Sequence, residues 1–95
     1  MPYSLKGRQM AKVTTENLSS IHIRAGRACI GWRTKDLAEA ADLGGPLIRK
    51  FERTGLAGQS AKQSMIDALE EAGVELLNGN RPGARLSKSA IKPAQ

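Results

Sequence analysis

Between Arg33 and Arg53 the chain reads RTKDLAEAADLGGPLIRKFER, two short apolar periodicities separated by Asp42-Leu43-Gly44-Gly45. In the first, Leu37 and Ala41 recur at i and i+4, with Ala38 and Ala40 beside them and charge at Lys35, Asp36 and Glu39. In the second, Leu47 or Ile48 with Phe51 repeats the i, i+3/i+4 spacing, while Arg49, Lys50 and Arg53 fall on other faces. Neither helix is long enough to be stable alone, so each needs the other and a third element over its apolar stripe. Ala38 and Ala41 let two helices approach closely, and a break of this length fits a sharp crossing.

The rest of the chain supplies that third element. Ninety-five residues make one domain, and polar flanks reduce the folded part to about 65–70 residues. The aromatics are Tyr3, Trp32 and Phe51 alone, so the core is built from Ala, Leu, Ile and Met, which favours helices. A core that small raises the expectation of a homodimer. Lys and Arg outnumber Asp and Glu 15 to 9, a net charge of +6 that points to a polyanionic partner. The single cysteine, Cys29, falls on an apolar helical face and reads as a small core residue in a reducing compartment. No run approaches the roughly 18 apolar residues of a membrane span, so a cytoplasmic, nucleoid-associated protein is expected, with no membrane partner.

Residues 1–18 carry Lys6, Arg8 and Lys12 with little periodicity and read as a mobile arm, either tracking phosphates or plainly disordered. Ser19 is a good N-cap for a first helix running to about Gly31, with Ile23, Arg27 and Ile30 giving its stripe and Gly26 a notch. His22, in its first turn, is expected to be a solvated ring. The second helix is expected over Thr34–Ala41. After a flexible Gly55–Gly58 connection, Ser60 to Gln63 reads as a capping box opening a fourth helix that buries Met65, Ile66 and Leu69 and ends at Gly73. Val74–Leu77 and Ala84–Leu86 then read as two short strands around a turn. A lone hairpin is marginal in water, so it either packs its Val74/Leu76 face on the helices or pairs across a dimer interface. The second option is favoured, which makes Val74, Leu76, Leu77 and Leu86 the dimerisation candidates. Residues 88–95 read as a disordered basic tail.

The pattern Leu37-Ala38-Glu39-Ala40-Ala41, Leu43, then Ile48-Arg49-x-Phe51-Glu52 resembles the helix-turn-helix of the phage Cro and lambda-repressor class, the XRE-type regulators. The likeness extends from about Ser19 to Leu86. It implies an all-α, lambda-repressor-like domain of about four helices over 19–73, with a short β-hairpin over 74–87. It also implies a sequence-specific regulator of transcription, a homodimer that places its third helix in the major groove of a double-stranded DNA operator. In that family an arginine at the position of Arg27 pairs with a glutamate at the position of Glu52, so the resemblance implies a structural salt bridge between these two.

The break and the third helix depart from the family pattern. Asp42 stands where the turn usually has Gly, so any left-handed residue there is an Asp, which tolerates it better than most. Gly44 replaces the usual capping Ser or Thr, and Gly45 and Pro46 fill two positions that commonly read base edges. Gly is an acceptable N-cap and Pro is welcome in the first turn, so the helix survives while side-chain chemistry is lost. Base reading then falls to Arg49 and Lys50, with Leu47 touching a thymine methyl. Arg49 is the best candidate, since its fork matches guanine O6 and N7. Thr34 with Arg33 and Lys35 at one helix start, and Arg53 with Thr54 at another helix end, suit phosphate contacts.

One Cys and one His cannot make a four-ligand zinc site, and no Walker-type loop occurs, so no metal or cofactor is expected and an enzyme is disfavoured. The competing class is a protein-interaction module on the same fold, an antitoxin- or antiactivator-like partner of a regulatory protein; a weakly specific DNA binder is a third variant. Gly45-Pro46 favours the interaction module, and the basic residues around it argue against it.

Overall fold

The computed structural model describes residues 13–78 and 82–87. Four helices precede an antiparallel two-stranded hairpin: α1 Ser20–Ile30, α2 Thr34–Ala41, α3 Gly45–Thr54, α4 Gln59–Glu71, β1 Val74–Leu77 and β2 Gly83–Leu86. The expected order of elements is therefore present. Each helix is too short to persist in water and is held by the face it buries. Ile23 of α1, Leu37 of α2, Ile48 and Phe51 of α3, and Met65 and Leu69 of α4 are all fully buried in one cluster. Side chains of this size contribute about 1.5–3 kcal/mol each when withdrawn from water.

The segment before α1 belongs to that core. Val13 and Leu18 are buried, the Lys62 ammonium donates to the Thr15 carbonyl at 3.3 Å, and the Gln59 amide donates to the Thr15 hydroxyl at 3.2 Å. The arm expected over 1–18 is thus corrected for 13–18, where two apolar side chains outweigh a polar surrounding sequence. Residues 1–12 and 88–95, the remaining arm and the basic tail, lie outside the described residues.

His22 is the second correction. It is only 1% exposed, with Nδ1 accepting from the Ser19 amide at 3.0 Å and Nε2 donating to the Leu77 carbonyl at 2.8 Å. These bonds assign the tautomer with the proton on Nε2. The ring takes the part usually played by Glu or Gln in a capping box and joins the start of α1 to the end of β1. The α4 capping box is also corrected: α4 starts two residues earlier, at Gln59, with Gly58 rather than Ser60 as N-cap. The Gln63 amide donates instead to Asp67, one turn on, at 2.9 Å.

The hairpin pairs Val74 with Leu86, Glu75 with Arg85, Leu76 with Ala84 and Leu77 with Gly83. Val74 and Leu76 point into the helical core, so the dimer role expected of these two is corrected. Two strands alone bury too little to persist, and this pair borrows the faces of α1 and α4 within its own chain. Leu77 is half-buried and its carbonyl is taken by His22, whereas Leu86 stays 38% exposed. On the outer face Arg85 Nε lies 2.6 Å from Glu75 Oε1, an exposed pair worth at most about 1 kcal/mol.

Candidate nucleic-acid interface

The turn from α2 to α3 is set by three consecutive residues, Asp42, Leu43 and Gly44. Asp42 takes the left-handed conformation, φ 59° and ψ 46°, as expected at that position. The Leu43 amide reaches back to the Ala38 carbonyl at 2.8 Å and the Asp42 amide to Glu39 at 3.2 Å, a Schellman closure. Leu43 then packs on the core, which fixes the angle at which α3 leaves. Gly44, extended at φ −77° and ψ 146°, starts α3 without a side-chain cap, and Pro46 sits in its first turn. Proline has no amide to leave unsatisfied there, so the missing cap costs less.

α3 is sharply two-faced. Ile48 and Phe51 are fully buried, while Pro46, Arg49, Lys50, Arg53 and Thr54 are exposed. Its one acid, Glu52, turns inward: Arg27 Nε donates to Oε2 at 2.7 Å and Nη2 donates to Oε1 at 2.9 Å, while Nη1 donates to the Trp32 carbonyl at 2.9 Å. The two side chains are 20% and 13% exposed, so solvent screens this fork only partly. The pair bolts α3 to α1 and removes the helix's only negative charge from its outer face. Arg49, Lys50 and Arg53 have no acidic partner among the described residues.

Other candidates are less free. Leu47 is half-buried and packs on the core, leaving only part of its surface for a thymine methyl. The Thr54 hydroxyl donates to the Lys50 carbonyl at 2.8 Å and accepts the Leu56 amide at 3.1 Å, so its proton is committed within the chain. At the start of α2, Arg33 is the N-cap and its amide donates to Asp36 Oδ2 at 2.8 Å. That carboxylate occupies part of the positive end of α2. Thr34 is half-buried beside it, with Arg33 and Lys35 exposed on either side. A shallow polar depression lined by Thr15, Gln59, Ser60, Gln63 and Ser64 lies at the start of α4, and nothing in the sequence singled it out.

No protein-family model matches this chain, and neither a curated protein nor a solved structure does. Among the described residues, no helix is long and apolar enough to cross a membrane.

Proposed function

We propose that the protein is a sequence-specific DNA-binding regulator of transcription, a lambda-repressor-like helix-turn-helix domain that lays α3 in the major groove. The observation that carries this reading is the outer face of α3: three cations without acidic partners opposite a fully buried apolar face, with Glu52 drawn away by Arg27. Arg49 and Lys50 face base edges, while Arg53, Arg33, Lys35 and Thr34 meet phosphates. Two copies related by a two-fold axis would read half-sites about 34 Å apart, one helical turn. Self-association is assigned to β2. Its 2.7 Å bond from the Ser87 amide to the Gly73 carbonyl fixes the ladder alternation, which turns the amides of Ala84 and Leu86 to the open edge.

Gly45 and Pro46, which offer no hydrogen-bonding side chain, support a second reading, in which the same face holds a regulatory protein. Binding to a duplex from the chain's own upstream region, against a scrambled duplex of equal length, separates the two. An operator reader keeps its preference as salt rises, and log affinity falls linearly with log salt. Absence of binding at low salt would leave the protein-partner reading.

A further inference from the structure

The first turn of α3 is almost bare. Gly44 and Gly45 carry no side chain and Pro46 only its ring, so the end of the helix nearest a groove floor offers no hydrogen-bonding side chain of its own. The group that occupies this space comes from one turn further on. A methyl group placed on Gly45 would lie 3.3 Å from Nη1 of Arg49, 3.8 Å from Nη2 and 3.9 Å from Cζ. Helical side chains lean toward the N-terminus, so a long residue at i+4 naturally covers position i. Here the guanidinium rests over the Cα of Gly45.

This is an unusual place for a cation. The start of a helix carries partial positive charge, which disfavours arginine. No carboxylate among the described residues compensates Arg49. Its fork is therefore exposed over the start of α3, with no acidic partner among the described residues, where an acceptor edge would be most welcome.

We propose that Gly45 is the specificity-determining position of this interface and acts through Arg49. Resting on the DNA-binding reading, the inference assigns Gly45 the role of clearing the first turn, so that the Arg49 fork donates to O6 and N7 of one guanine in each half-site. Gly45 touches no base itself; it is a positioning residue. A side chain at 45 would displace the guanidinium or tilt it out of the base plane. A single methyl would crowd only the far end of a flexible chain, whereas a branched side chain would fill the space.

The test uses the full chain and a pool of random-sequence duplexes, selected separately with the wild type, Arg49→Ala, Gly45→Ala and Gly45→Leu. The wild type should enrich a site containing a guanine whose exchange for adenine weakens binding about tenfold or more. Replacing that guanine by 7-deazaguanine, which lacks the N7 acceptor, should weaken binding as well. Arg49→Ala and Gly45→Leu should both bind guanine, adenine and 7-deazaguanine sites within about twofold of one another, with Gly45→Ala in between. Gly45→Leu should keep the wild-type affinity for a scrambled duplex and Arg49→Ala should lose only what one cation supplies there, while neither variant should melt below the wild type, since the core is untouched. Full guanine preference in Gly45→Leu would overturn the role of Gly45 while leaving the regulator reading intact. Guanine preference persisting in Arg49→Ala would overturn the route through Arg49. Failure of the wild type to enrich any sequence would overturn the operator-reading function together with this inference.

Discussion

Arg27 and Glu52 come from helices whose apolar stripes are legible in sequence, yet neither residue is apolar. Spacing alone marks Arg27 as an odd member of its stripe; only the family resemblance supplied Glu52 as its partner. The structure joins them through two charge-assisted bonds with a third to Trp32. Glu52→Ala leaves the Arg27 guanidinium largely buried without its anion. A fully buried pair costs about 3–5 kcal/mol to break, and partial exposure lowers this to about 2–3 kcal/mol. In a domain this small, the melting temperature should fall by about 10 °C or more, read by circular dichroism. An unchanged melt would show the pair to be energetically neutral. His22 was harder to read, because a polar residue in a first turn is usually wet. The signal lay in its register: His22, Gly26 and Cys29 follow the helical repeat on the side of α1 that meets the hairpin. His22→Phe keeps an aromatic ring, somewhat larger, but abandons both bonds, so it should lower unfolding free energy by about 1–3 kcal/mol in urea titrations.

At the scale of elements, the four helices and two strands follow from periodicity and punctuation, and their ends shift where local chemistry competes. The α4 start moved because Gly58 supplies the first helical carbonyl, 3.0 Å from the Lys62 amide, leaving Ser60 inside the helix. Val13 and Leu18 gave no warning, since two apolar residues in a polar stretch have no period. The crossing of α1 over α4 depends on Gly26, where an added methyl would come 2.9 Å from Leu69 Cδ1 and 3.5 Å from Leu76 Cδ2. Alanine there gains about 0.5–1 kcal/mol of helix propensity. Overpacking against a fully buried Leu69 costs about 1–3 kcal/mol, so the clash wins. Gly26→Ala should therefore lower the urea midpoint with an unchanged slope; a raised midpoint would mean that Leu69 can swing away freely.

Among the described residues, two helices carry opposite charge. Arg49, Lys50 and Arg53 share α3, whereas Asp67, Glu70 and Glu71 lie along the second half of α4. Under the proposed DNA-binding function, such sorting would favour approach of a duplex to α3 over α4. Arg53→Ala should weaken binding about equally on cognate and scrambled duplexes and reduce the log–log salt slope by about 1, as loss of one phosphate contact requires. A loss confined to one sequence would instead place Arg53 on a base. Leu86→Asp puts a charge beside the open β2 edge, on the face it shares with Val74, and should shift sedimentation equilibrium toward monomer under conditions where circular dichroism shows the variant still folded. An unaltered association constant would move the interface elsewhere.

The bond from His22 to Leu77 spans 55 residues of chain and ties the first helix to the first strand. The start of α1 therefore has its second anchor only when β1 is docked. Amide exchange should register this as one event: protons in the first turn of α1 and in the strands would leave together, with a single opening free energy. A chain cut before Val74 would lose protection at Ser19 as well, far from the missing residues. Fraying at the start of α1 and undocking of β1 would then be one motion.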